Sequence, residues 1–89
     1  MSNADIREPA VAGRFYPDSP AKLKSAILQF LQDALPAKVK KPVAIIVPHA
    51  GYIFSGQICA DGFKQVSREK YDVVVILGTN HTNSGFQKI

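Results

Sequence analysis

Cysteine is almost missing from the sequence: Cys59 is the only one in 89 residues, so an intramolecular disulfide is excluded and nothing points to an oxidising compartment. Long hydrophobic runs are absent too, since no apolar stretch approaches the ~18 residues that a membrane span requires. Charge of one sign is scarce. Eleven Lys and Arg against seven Asp and Glu leave a net +4, spread thinly along the chain. Lys38, Lys40 and Lys41 form the only cluster, without aromatic residues among them, and read as a solvated connection. A nucleic-acid reader concentrates its basic residues on one element, so nucleic acid is set aside as a partner. The start, Met1-Ser2-Asn3-Ala4, lacks the basic-then-apolar build of a signal peptide and reads as an expression scar. Residues 5–89 then form one domain segment, with the cytoplasm as the expected location.

Two families of catalytic signature are missing as well. The stretch Ala50-Gly51-Tyr52-Ile53-Phe54-Ser55-Gly56 follows a strand-like run, yet it fits neither GxGxxG nor a loop ending in Gly-Lys-Ser/Thr, which argues against nucleotide binding. Phe54-Ser55-Gly56 lacks the first glycine of a Gly-x-Ser-x-Gly elbow, which argues against a serine hydrolase. No internal repeat and no low-complexity tract is present.

What the sequence does contain is patterned apolar segments. Residues 6–17 carry prolines at 9 and 17 with Gly13 between them, and predict an extended or looped segment whose Phe15 and Tyr16 need a surface to pack on. Ser19 followed by Pro20 has the signature of a helix start. Leu23, Ile27, Phe30, Leu31, Ala34 and Leu35 then recur at three- and four-residue spacing, and Pro36 closes that helix. Residues 43–47 and 71–77 are short, β-branched and suited to strands buried on both faces. Between them the loop 49–54 contains Gly51, a residue free to adopt conformations that others avoid. Ser55 is placed as the N-cap of a helix over about 56–67, with Ile58, Cys59, Gly62, Phe63 and Val66 on one face. Gly62 costs that helix about 1 kcal/mol against Ala, tolerable where it lets the helix approach a sheet closely.

Strand, helix and strand predict a parallel βαβ unit with a right-handed crossover, hence an α/β fold class with a partial open sheet. Two strands alone are marginal. The segment therefore reads either as the first part of a larger α/β fold or as a small chain that completes its sheet by self-association. Thr82-Asn83-Ser84-Gly85 reads as a loop, and residues 86–89 as the start of a further element.

Both histidines follow an apolar run. Residues 43–47 lead through Pro48 into His49, and residues 73–77 lead through Gly78-Thr79-Asn80 into His81. Ligand sites in open parallel sheets form beyond the carboxyl ends of strands, and adjacent strands lie ~4.8 Å apart, so the two imidazoles can reach one metal ion. Taken singly, each histidine is equally well explained by a backbone hydrogen bond or a turn; the matched positions carry the inference. A catalytic metal wants at least three protein ligands. Cys59, on an apolar helix face, reads as a small hydrophobe, and Asp61, on the opposite side, as solvated. Tyr52 is placed as a phenolic donor to a bound anion or activated oxygen, with packing as its alternative. Asn80 bridges loop amides or orients His81. Arg14 suits a carboxylate-bearing ligand if the amino-terminal segment folds over the rim, and otherwise a surface ion pair.

Three stretches in order resemble the Memo family, whose members share a fold with the class III extradiol dioxygenases. They are Pro9-Ala10-Val11-Ala12-Gly13-Arg14-Phe15-Tyr16-Pro17, then Ala44-Ile45-Ile46-Val47-Pro48-His49-Ala50-Gly51-Tyr52 with Ser55-Gly56, and Val75-Ile76-Leu77-Gly78-Thr79-Asn80-His81. The likeness reaches the amino-terminal third of the family. It implies an extradiol dioxygenase-like fold with a mononuclear iron or copper site, in which His49 and His81 match two ligand positions. The family's third ligand, a cysteine, and a further pocket histidine come from later segments, and Cys59 matches neither. Gly78-Thr79-Asn80-His81 departs from the Gly-Pro-Ser/Asn-His of many relatives without changing the ligand type. Ring cleavage is not implied, because the carboxylate of the two-histidine, one-carboxylate triad is not clearly kept. The resemblance links the chain to iron or copper redox handling, to phosphorylated peptides, and in microbes to a system with a radical-SAM partner.

Three functional expectations follow from these residues. One is a metal-dependent redox protein using His49 and His81, with Tyr52 and Arg14 lining the pocket. Another is a binding module for a small anion or a peptide. The last is a truncated piece that self-associates, as a homo-oligomer, without activity of its own.

Overall fold

The computed structural model describes residues 5–81. The proposed scar at 1–4, the loop at 82–85 and the element from 86 lie outside the described residues.

Two helices form the frame. Helix α1, Pro20–Gln32, starts where the sequence places it: the Ser19 side chain accepts from the Lys22 amide at 3.4 Å, and Pro20 occupies the first turn, where its missing N–H costs nothing. It ends three residues before Leu35. Asp33 caps it, its amide donating to the Gln29 carbonyl at 3.0 Å while its carboxylate accepts from Gln29 Nε2 at 2.9 Å. The apolar stripe thus runs past the helix, and Leu35 is left exposed.

Helix α2, Tyr52–Lys64, begins earlier than the sequence reading has it. Gly51 is its N-cap, and Ser55 lies buried one turn inside. The reason is an external acceptor: the Phe15 carbonyl takes the Tyr52 amide at 2.7 Å, which satisfies an N–H at a helix start that has no side-chain cap. The conformational freedom assigned to Gly51 is not used, since its φ is an ordinary −59°. Gly13 is the glycine that needs it, with φ at +84° in a turn where its amide donates to the Tyr16 carbonyl at 2.7 Å. That turn, with an isolated parallel bridge between Ala12 and Tyr16, folds the amino-terminal segment against the start of α2.

The helices pack on each other at Gly56, where an added Cβ would sit 2.7 Å from the Phe30 ring. Ala60, the buried apolar residue among those described, lies one turn further along α2. A ladder of polar side chains on α2 completes the joint. Gln57 Nε2 donates to the Phe30 carbonyl at 2.8 Å, Asp61 Oδ1 accepts from the Leu35 amide at 2.9 Å, and Gln65 Oε1 accepts from the Lys38 amide at 2.9 Å. Gln65 Nε2 also donates to the Pro36 carbonyl, and Arg68 to the Ala37 carbonyl, each at 3.2 Å. Residues 57, 61 and 65 recur every four positions, so one stripe along α2 and its C-cap holds the end of α1 and residues 35–39 of the connection. Asp61 is therefore half-buried and engaged, and the expectation that it is solvated is corrected: its i+4 neighbours bring the connection within its reach.

Among the described residues the two β-branched segments form no strand ladder. Val43 and Ile46 are fully exposed, and Val73, Val74, Val75, Ile76 and Leu77 are 72–91% exposed, so the expected burial on both faces is not realised. The physical reason is that no second layer of described residues covers them. The chain's accessible surface of 8381 Å² compares with about 5,100 Å² for a compact monomer of this mass.

Candidate metal centre

The two segments meet at both ends. At the start, the Tyr71 hydroxyl donates to the Pro42 carbonyl at 2.8 Å. At the finish, His49 Nε2 and His81 Nε2 stand 3.2 Å apart, with ring centroids 5.3 Å apart and planes inclined by 32°. Both imidazoles are exposed.

Without an ion, that contact is a hydrogen bond in which one ring nitrogen donates and the other accepts. A metal ion asks the same two atoms to face one point. Imidazole nitrogens bind at ~2.0–2.1 Å, and two such bonds across 3.2 Å enclose an angle of about 100° at the ion, suited to neighbouring ligands in tetrahedral or octahedral sites. The pair fits two positions of a metal site. No group of three or more His, Cys, Asp or Glu that could hold a metal ion is present among the described residues.

His49 stands at the end of a loop that α2 supports from below. Gly62 lies against Val47, the Cys59 thiol donates to the Pro48 carbonyl at 2.9 Å, and the Ser55 hydroxyl reaches the Ala50 carbonyl at 3.1 Å and the Gly51 carbonyl at 3.3 Å. Positions 55, 59 and 62 share a face by their spacing of four and three. The sequence reading gave Ser55 and Cys59 other roles, as N-cap and as apolar filler. The signal for their polar role was the same helical spacing, once the helix start is set at Tyr52. Ile58 and Phe63, expected on the covered face, are 61% and 52% exposed.

Tyr52 and Arg14 are brought together in a different place. Tyr52 packs its ring against Tyr16, centroids 5.8 Å apart, and edge-on to Phe30 at 6.1 Å. With Arg14, Phe15, Tyr16 and Phe30 it lines an open cleft of about 290 Å³. The amino-terminal segment thus folds against the start of α2, and the cleft it forms with Arg14 is lined by neither His49 nor His81. Asn80 is exposed and engaged in the fold.

The described residues thus combine a two-helix frame, two converging imidazoles at the ends of the apolar segments and, apart from these, an aromatic-lined cleft. A family model described as Memo-like protein matches residues 7–88. Curated relatives agree: MEMO1 family proteins are 45% identical in Aquifex aeolicus over 80 residues, 45% in Thermotoga neapolitana over 91, and 43% in Desulfurococcus amylolyticus over 89. These matches cover 89–90% of this chain and 29–33% of each relative. The chain belongs to the Memo family. It spans about a third of the length of the relatives it matches. No solved structure matches it. No helix among the described residues is long and apolar enough to cross a membrane.

Proposed function

We propose that His49 and His81 are two ligands of a mononuclear iron or copper site in a Memo-type α/β domain, and that the site serves redox chemistry. The observation that carries this reading is the 3.2 Å approach of the two Nε2 atoms, from residues 32 apart in sequence. Their common point lies past the ends of two apolar segments that are also tied at their starts, the arrangement that a parallel βαβ unit would produce. Iron or copper would supply one-electron chemistry there. The residues of this chain do the holding: the two imidazoles donate lone pairs, Asn80 beside His81 orients its ring, and the loop 47–51 fixes the position of His49. The third ligand implied by the family resemblance, a later cysteine, lies outside this sequence.

The test is metal content by elemental analysis after loading with Fe(II) or Cu(II). The longer protein that supplies the third ligand should retain close to one ion, and His49→Ala with His81→Ala should release it. Stoichiometric metal retained by the double variant would remove the reading.

The cleft favours a second reading, capture of an anionic small molecule or peptide by Arg14 among Phe15, Tyr16, Phe30 and Tyr52. Here Tyr52 adds a phenolic donor to the ligand. Binding under this reading survives chelation and is lost in Arg14→Ala. Affinity that vanishes on metal removal would decide against it.

A further inference from the structure

The support beneath His49 has a specific form, and it deepens the metal-site reading on which it rests. His49 lies between two residues whose carbonyls are both held by α2: Pro48 accepts from the Cys59 thiol at 2.9 Å, and Ala50 accepts from the Ser55 hydroxyl at 3.1 Å. Ser55 is buried, and Cys59 is half-buried. Immediately upstream, Val47 is seated against Gly62, where an added Cβ would stand 2.5 Å from its Cγ1. The loop descends from 51 to 47 as the helix rises from 55 to 62, so the contacts pair off in order along both.

We infer that Ser55, Cys59 and Gly62 of α2 form a clasp that positions His49, and that the Cys59 thiol acts as a positioning donor to the metal-binding loop rather than as a ligand. The consequence is geometric. With the carbonyls on either side of it pinned, His49 keeps only its own two side-chain torsions, and its Nε2 is delivered to His81 without a search by the backbone. A thiol suits this place because it is small enough to lie between helix and loop, and its S–H is a donor. Pro48 cannot anchor the loop through an amide of its own, since it has none. The clasp therefore works through the carbonyls.

The closing experiment uses the full 89-residue chain and two readouts. In the metal-free chain, a nuclear Overhauser contact between the ring protons of His49 and His81 reports the convergence directly. In the loaded chain, titration with Cu(II) reports affinity. Cys59→Ala should lose the ring-to-ring contact and weaken Cu(II) about 10- to 100-fold, the usual consequence of removing a partner that orients a metal-binding histidine. Cys59→Ser should restore both, because its hydroxyl donates to the same carbonyl. Ser55→Ala should weaken them in the same direction. Helical circular dichroism should stay at the level of the parent in all three. If Cys59→Ala loses its helical signal, Cys59→Val, of similar volume and without a donor, takes its place. Retention of the ring contact in the donor-less variant, or failure of Cys59→Ser to restore it, overturns the clasp. Loss of the ring contact in a chain that never binds Cu(II) would leave the clasp standing and end the metal-site reading instead.

Discussion

The Tyr71 hydroxyl donates to the Pro42 carbonyl at 2.8 Å, 29 residues away in sequence, and so ties the two β-branched segments at their starts as the histidines bring them together at their ends. Start joined to start and finish to finish is the order of co-directional neighbours. Tyr71 is 44% exposed, so its hydrogen bond contributes at the lower end of the usual range. Tyr71→Phe should lower stability by about 0.5–1 kcal/mol in urea denaturation. It should also broaden the His81 ring resonances, because the segment leading to them is then held at one end only. An unchanged midpoint with sharp His81 signals would mean that the tie carries nothing.

Removing either imidazole separates the metal-site reading from a purely structural one. His49→Ala and His81→Ala each take away one of two converging nitrogens, and both side chains are exposed, so neither change opens a cavity. Circular dichroism and thermal midpoint should stay near those of the parent, while Cu(II) affinity falls by at least about tenfold for each. Cu(II) bound equally well by both single variants would place the ion elsewhere.

Gly62 makes a prediction against its own helix propensity. Alanine at an exposed helix interior gains about 1 kcal/mol over glycine. At position 62 the added methyl would sit 2.5 Å from Val47 Cγ1, on a β-branched side chain with little freedom to turn. Gly62→Ala should therefore destabilise by about 1–3 kcal/mol, the range for overpacking. Val47→Ala removes the obstructing atom, so the double variant should recover most of the loss, a coupling that a thermodynamic cycle measures. Simple additivity of the two changes would show that the helix does not rest on the loop there.

On the opposite stripe of α2, Asp61 and Gln65 hold the connection after α1. Asp61→Ala leaves the Leu35 amide without its 2.9 Å acceptor, and Gln65→Ala frees the Lys38 amide and the Pro36 carbonyl together. These groups are exposed enough for water to replace the lost partner, so each variant should cost about 1 kcal/mol. Hydrogen exchange at Leu35 and Lys38 should accelerate while the α1 amides stay protected. Uniform acceleration through α1 would show instead that the ladder holds the helix pair as a unit.

The apolar segments 43–47 and 73–77 leave Val43, Ile46 and Val73 to Leu77 open to solvent. Sedimentation velocity at micromolar concentration should show dimers or larger species, and Ile46→Lys with Val75→Lys should shift the distribution toward monomer. A single monomer peak for the parent chain would end this expectation.

The sequence was a good guide wherever a local rule decided the outcome. Ser19-Pro20 marks the first turn of α1 because N-cap and proline effects act within four residues. The meeting of His49 and His81 was readable because each follows a β-branched run, and the spacing of 32 leaves room for one helical return. The start of α2 was not readable, since its first amide is satisfied by the Phe15 carbonyl, a partner 37 residues away that no local pattern announces. Ser55 was then misplaced by the same shift, and with it the polar stripe that includes Cys59. Asp61 looked solvated because its acceptor role appears only when α1 ends early and the connection crosses α2. Gly62 was read as allowing close approach to a sheet, and what lies against it is the Val47 side chain of a segment that forms no strand ladder among the described residues.

Because the backbone oxygen of Phe15 stoppers the amino end of α2, the exposed turn at 13–15 and the imidazole at 49 belong to one mechanical chain. A single tryptic cut after Arg14 would loosen that stopper, fray the first turn that carries Ser55, and reach the histidine without touching it. The turn at 13–15 is thus coupled through the helix to the place where the imidazole at 49 stands.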